Sequence, residues 1–125
     1  MSFAGGITPS IRPGTTTVPA MLASSQLTLI AISDAAGGDI TVVSGVSGQT
    51  IRVFRLLLVV SGATDITFKD STPTSLSGAM PIAANGGIAL DFNGDPWYTT
   101  AAGKGFIITS SAATQVSGSL WYAQS

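Results

Sequence analysis

Residues 51–60 read IRVFRLLLVV, and Leu56–Val60 within them is the longest strongly apolar run in the chain. Five residues are far too few to cross a bilayer, which takes about 20. A short run rich in Val, Ile, Phe and Leu is typical of a β-strand. The stretch therefore predicts a buried strand and favours an all-β fold.

The second half of this predicted strand is apolar on both faces. One face serves the core of a β-sandwich, and the other must be covered by something else, because a bare apolar face is a sticky patch. Two kinds of cover are compatible with the sequence: a loop or N-terminal arm of the same chain, or a neighbouring subunit in an oligomer. In a regular strand, Arg52 and Arg55 lie on opposite faces, each paired with an Asp or solvated.

Short β-branched runs continue on both sides of this stretch, separated by clusters of Gly, Asn, Asp and Ser about every ten residues. No segment has a sustained helical period with caps, so few helices are expected. The pattern predicts one antiparallel β-sandwich or jelly-roll-like domain of about eight strands over residues 26–125. The candidate strands are Leu27–Ile32, Ile40–Ser44, Thr50–Val60, Ile66–Lys69, Ala79–Ala83, Ile88–Phe92, Trp97–Thr99, Phe106–Ser110 and Val116–Ala123.

Residues 1–25 form a distinct segment, which we expect to be an extended N-terminal arm. Pro9, Pro13 and Pro19 exclude a helix or an inner strand, because proline lacks the N–H donor and fixes φ. The segment is either a loose terminus or an arm that threads onto a neighbouring subunit. It opens without the basic and apolar regions of a signal peptide. The spaced apolar residues that would anchor an arm are Phe3, Ile7, Ile11 and Val18.

The composition favours assembly and argues against nucleic-acid binding. Of 125 residues, 45% are hydrophobic and 9% are charged, against roughly 25% charged in typical soluble domains. A small domain so poor in charge hides its apolar surface better as an oligomer. Five cations against six acids give a net charge of −1, too few cations for the basic patch that binds phosphates.

Catalytic constellations are missing from the sequence. The chain has no His and no Cys, so Ser–His and Cys–His pairs are impossible. A Ser–Lys pair would need Lys69 or Lys104, and neither lies in a Ser-x-x-Lys pattern. All acids are Asp, mostly at predicted turns, where Asp caps backbone N–H groups. We therefore expect a non-enzymatic protein without a cofactor.

One string is similar to the start of a calcium loop. Residues 91–95 read DFNGD, which matches an opening Asp-x-Asn-x-Asp. The glycine then stands one place before the third acid, Pro96 follows, and Ala102 occupies the position of the bidentate Glu. The string favours a tight β-turn over a metal site.

Two adjacent aromatic pairs lie on predicted strands, Trp97-Tyr98 and Trp121-Tyr122. Adjacent strand residues face opposite ways, so only one member of each pair enters the core. The other points outward, where it makes a subunit contact or, alternatively, stacks on a sugar.

The second half of the chain contains an ordered set of short motifs. They are Ile51–Leu56, Ser61–Thr64, Ile66–Asp70, Leu76–Ile82, Asn85–Gly87, Pro96–Gly103 and Val116–Tyr122. This set is similar to a small β-sandwich domain that recurs in structural proteins of tailed phages, including head decoration, cement and fibre-type components that are often trimeric. The resemblance spans residues 50–124 and implies no catalytic residues.

The resemblance implies a capsid decoration or cement protein that is made in the host cytoplasm and sits on the head surface of the virion. Its partners would be further copies of itself, as a trimer, and the major capsid protein, with no nucleic acid and no membrane. The alternatives are a tail, fibre or baseplate component, or a carbohydrate-binding module for host recognition. The expected interface residues are Phe3, Ile7, Ile11, Phe54, Leu56, Leu58, Val60, Trp97 and Trp121.

Overall fold

The computed structural model describes residues 27–125, which form nine strands in two antiparallel sheets. The strands are β1 Thr28–Asp34, β2 Gly38–Val43, β3 Ile51–Val60, β4 Thr64–Asp70, β5 Met80–Ile82, β6 Gly87–Leu90, β7 Tyr98–Thr99, β8 Phe106–Ser110 and β9 Val116–Gln124. Sheet A has the order β1-β9-β3-β6, with β7 also paired to β3, and sheet B has the order β2-β8-β4-β5.

The pairing is that of a jelly roll. Strand β1 pairs with β9, β2 with β8, β3 with β6 and β4 with β5. These four strand pairs follow one another along a long antiparallel hairpin that is folded over into two facing sheets. The predicted all-β sandwich is confirmed, and each predicted strand overlaps an observed one. The predicted arm, residues 1–25, lies outside the described residues.

The core fills the space between the sheets. Alternation along β3 points Leu56, Leu58 and Val60 inward, where their exposed fractions are at most 2%. Across from them lie Ile66 and Phe68 of β4, which are equally buried. Burying five such side chains stabilises the fold by about 1.5–3 kcal/mol each.

A β-bulge interrupts the regular pairing of β3 with β9. Val53 is opposite Tyr122 and Arg55 is opposite Trp121, so Phe54 has no partner residue on β9. An extra residue of this kind shifts the alternation of everything that follows it in the strand.

The bulge places Arg52 and Arg55 on the same face of sheet A. Arg52 alternates with the buried Ile51 and Val53, and Arg55 precedes the buried Leu56. The expectation of opposite faces is wrong, because it assumed a regular strand.

Gly118 lets β9 pass close to β3. A Cβ atom at this position would overlap the backbone carbonyl oxygen of Leu57. Because backbone atoms cannot move aside as side chains do, only glycine fits the sheet here without a shift.

Candidate interaction surface

Three of the predicted interface residues lie in the core of the chain itself. Leu56, Leu58 and Val60 face sheet B and are at most 2% exposed, so they are not available to a partner. The prediction chose the face of β3 that the chain's own core covers. The outward-facing residues are Leu57, 49% exposed, and Val59, 46% exposed.

The other predicted interface residues that the structure describes differ in their exposure. Phe54 is 4% exposed and packs against Phe92, with ring centroids 6.0 Å apart. Trp97 is 43% exposed and Trp121 is partly exposed. Three more, Phe3, Ile7 and Ile11, lie outside the residues that the structure describes.

The outward side chains of β1, β9, β3 and β6 line up in rows across sheet A. We call this surface the outer face of sheet A. One row is Leu29–Trp121–Arg55, the next is Ala31–Ser119–Leu57–Ala89, and the third is Ser33–Ser117–Val59–Gly87.

This outer face carries exposed apolar residues and few charges. Its large members Leu29, Leu57 and Val59 are each about half exposed, at 57%, 49% and 46%. Most of the others are Ala, Ser or Gly, and the charged side chains on this face are Arg55 and, beside the rows, Arg52. Exposed apolar residues grouped on one face of an isolated domain are typical of a site that a partner covers.

The outer face of sheet B has the opposite character. Lys69 Nζ lies 3.0 Å from Asp39 Oδ1, and the Thr109 hydroxyl donates to the same oxygen at 2.8 Å. These bonds connect β4, β8 and β2 across the sheet. The hydrogen bond from Lys69, and after it that from Thr109, lowers the pKa of Asp39. Charged and hydroxyl groups of this kind suit a surface that stays in water.

Asp70 is the one buried carboxylate among the described residues, at 2% exposure. Its Oδ1 accepts N–H groups of Thr72 and Thr74, both at 3.0 Å, and its Oδ2 accepts that of Ala101 at 3.2 Å. Burial raises the pKa of this carboxyl, but the hydrogen bonds outweigh burial, and the pKa of Asp70 lies below its ordinary value. The carboxylate joins two loops and is engaged structurally.

The string that is similar to a calcium loop forms a turn. Asn93 Oδ1 accepts the N–H of Asp95 at 2.9 Å, and Gly94 has a positive φ of 93°. Within residues 27–125, no three acidic side chains lie close enough to hold a metal ion. The tight turn expected from the sequence fits this geometry.

The aromatic pairs split as predicted. Tyr98 packs edge-on against Phe68 in the core, with ring centroids 5.2 Å apart. Trp97 points outward, and its Nε1–H donates to the Asp91 carbonyl at 2.8 Å. Trp121 also points outward, while Tyr122 packs against the core.

Sequence reasoning missed Leu29, Leu57 and Val59 as surface residues. The second half of β3 is apolar on both faces, as the sequence indicates, with one face buried and Leu57 and Val59 exposed on the other. The pattern alone did not indicate which residues face outward, since that depends on the bulge at Phe54. Leu29 lies in a predicted strand, but its exposure follows from the edge position of β1.

No helix in the described part of the chain is long and apolar enough to cross a membrane. No protein-family model, curated protein or solved structure matches this chain. The functional proposal therefore rests on the residues and their geometry.

Proposed function

We propose that this protein is a non-enzymatic structural subunit of a tailed-phage virion, and specifically a capsid decoration or cement protein. It assembles with copies of itself and binds the major capsid protein on the head surface. The observation that carries the proposal is the contrast between the two outer faces of the sandwich. One face presents the half-exposed Leu29, Leu57 and Val59, and the other presents the Lys69–Asp39 ion pair.

The contrast supports a role in assembly because each face suits a different environment. Covering the outer face of sheet A costs little desolvation free energy, since its charged side chains are two arginines, Arg52 and Arg55. Leu29, Leu57 and Val59 gain free energy when a partner covers them, at about 25 cal/mol per Å². Repetition of such modest contacts by symmetry stabilises a shell through avidity.

The fold is compatible with this role and with one other. Jelly rolls occur in viral capsid domains and in lectins, so the fold by itself does not choose between them. The sequence resemblance over residues 50–124 favours the virion role and implies a trimer. A tail, fibre or baseplate location fits the same surface, and imaging of labelled virions distinguishes it from the head.

The test is the solution mass of the full-length protein by light scattering, beside its binding to undecorated head shells in co-sedimentation. Leu57→Lys puts a charge in the middle of the outer face of sheet A and should reduce the mass and weaken shell binding. Thr67→Lys, on the outer face of sheet B, is the matched control and should change neither. If Leu57→Lys and Thr67→Lys had the same solution mass and the same shell binding, the proposal would be contradicted.

Carbohydrate binding is the second candidate, because Trp97 is 43% exposed beside the polar turn at residues 91–95. An exposed indole next to Asp and Asn side chains is a surface on which a sugar can stack. A glycan array probed with the full-length protein and with Trp97→Ala tests it. Hits that vanish in Trp97→Ala support this function, and an array without hits removes it.

A further inference from the structure

Among the described strands, β1 is the edge without a protective feature. Sheet A ends in β1 on one side and in β6 and β7 on the other, and sheet B ends in β2 and β5. Strand β1 has seven residues paired regularly to β9, without a proline or a bulge. Its one charged residue, Asp34, is the last of the strand.

The other edges have features that block the addition of a strand. Strand β2 contains a register shift between Thr41 and Val43 and the charged Asp39. Strand β5 has three residues, one of them Pro81, β6 has four and β7 has two. Short length, proline, charge and bulges are the ordinary means by which proteins protect sheet edges. Strand β1 uses none of them along its length.

The orientation of the backbone groups of β1 follows from the neighbouring ladder. Thr50 and Ser125 exchange hydrogen bonds of 3.0 and 3.2 Å, so Ser125 bonds towards β3. Successive residues of a strand bond to alternate sides, so the even-numbered residues of β9 bond towards β1. They lie opposite Thr28, Ile30, Ile32 and Asp34.

The N–H and C=O groups of Leu29, Ala31 and Ser33 therefore point away from the sheet. Within residues 27–125, no backbone hydrogen bond to these outward groups is present. The inward-facing Ile30 of the same strand is only partly buried. Among the described residues, the β1 edge thus leaves backbone N–H and C=O groups without partners and one core side chain, Ile30, only partly buried.

We propose that β1 pairs antiparallel with β1 of a second copy, about a twofold axis at Ala31. This pairing places Leu29 opposite Ser33, and both residues already belong to the outer face of sheet A. It places Ile30 opposite Ile32 on the inward side. Six backbone hydrogen bonds result, two at each of the three pairs of outward-bonding residues.

The charge distribution of β1 is compatible with its own pairing. Antiparallel pairing about Ala31 puts Asp34 opposite Thr28, so the two carboxylates lie at opposite ends of the contact. Like charges directly opposite would have been destabilising. The two five-stranded sheets join into one ten-stranded sheet with a doubled outer face. This inference deepens the proposed function by naming a partner contact, which is twofold where the sequence resemblance implies a trimer, and it rests on that function only for its biological purpose.

A single-cysteine variant tests the pairing directly, because the chain has no cysteine of its own. Residues that face each other in a hydrogen-bonded antiparallel pair have Cα atoms about 5.5 Å apart, a separation that a disulfide can span. Full-length Ala31→Cys should form a disulfide-linked dimer under mild oxidation. Ala89→Cys, at an exposed alanine on β6 at the opposite edge of sheet A, should not become disulfide-linked.

Hydrogen exchange in the unmodified full-length protein gives a second readout. The amides of Leu29, Ala31 and Ser33 should exchange slowly at high concentration and faster on dilution. Fast exchange at every concentration overturns the pairing, as does a mass of three copies throughout. Slow amide exchange that does not depend on protein concentration also overturns it, because the chain's own N-terminal segment would then cover β1.

The two proposals fail separately. If Ala31→Cys does not cross-link while Leu57→Lys still lowers the solution mass, the edge pairing is wrong and the face contact stands. If Ala31→Cys cross-links while Leu57→Lys changes neither mass nor shell binding, the pairing stands and the proposed use of the outer face is wrong.

Discussion

The guanidinium of Arg55 lies over the indole ring of Trp121, with Cζ 4.7 Å from the ring centroid. The two residues are partners across β3 and β9. They meet on the outer face of sheet A because the bulge at Phe54 turns Arg55 outward. Without that extra residue, Arg55 would point between the sheets, where an unpaired cation is costly.

We expect Arg55 and Trp121 to be energetically coupled. A cation over an exposed aromatic face contributes about 0.5–1 kcal/mol. A double-mutant cycle of Arg55→Met and Trp121→Leu, measured by urea unfolding, should recover a coupling of that size. Arg52→Met serves as the control, since Arg52 donates instead to Thr50 and Ser125. A coupling energy of zero would contradict a direct interaction.

Adjacent leucines of β3 should respond differently to truncation. Leu58 is fully buried, and Leu58→Ala should lower the free energy of unfolding by about 2–5 kcal/mol, because it removes packed atoms and leaves a cavity. Leu57 is half exposed, and Leu57→Ala should cost no more than about 0.5 kcal/mol in the monomer. Chemical denaturation at low protein concentration measures both. Equal losses would mean that the faces of β3 are wrongly assigned.

Asp70 should make stability depend on pH in the acid range. Its folded pKa lies below the unfolded value, which is about 3.9. The stabilisation is therefore fully present above about pH 4 and is lost as the pH falls through the folded pKa. Asp70→Asn should lower the free energy of unfolding at pH 7 by roughly 1.5–3 kcal/mol, the range for hydrogen bonds to a charged group.

The difference between wild type and Asp70→Asn should shrink as the pH falls below about 4. Urea unfolding at pH 7 and at pH 3 measures it. Asp65→Asn is the matched control, because Asp65 is exposed and should have little effect at either pH. A difference that stays constant between the two pH values would show that the charge of Asp70 is not what stabilises its loops.

Gly118 should tolerate no side chain. Gly118→Ala places a methyl group against the carbonyl oxygen of Leu57, and forcing extra atoms into a packed site costs about 1–3 kcal/mol. Gly78→Ala is the control, because a Cβ there meets nothing within 4 Å. Thermal unfolding of both variants checks the prediction, and an unchanged melting temperature for Gly118→Ala would refute it.

Much of the fold was predictable from local sequence. The β-branched runs predicted every strand, and Phe106–Ser110 was placed with both ends correct. Along β9, Val116 and Leu120 are buried while Ser117 and Ser119 are only partly so, in keeping with the two-residue period of a strand. These features depend on residues near each other in the chain, since strand propensity and the two-residue period are local properties.

The candidate site was less predictable. The composition and the doubly apolar β3 predict that some face needs cover, and Leu57 and Val59 are the exposed apolar residues of that strand. The chosen residues Leu56, Leu58 and Val60 were nevertheless the inward ones. Choosing between the two faces requires knowing where sheet B lies, and no local pattern contains that information.

The sequence by itself determined the positions of the strands, the alternation of their side chains and the low fraction of charged residues. Only the tertiary structure decided the jelly-roll order, the bulge at Phe54, and the edge position of β1. It also decided which surface stays bare, because Leu29, Ala31, Leu57 and Val59 come together through pairings between distant segments. A strand pattern specifies what each residue prefers, whereas long-range pairing and the register across β9 specify which neighbours it meets.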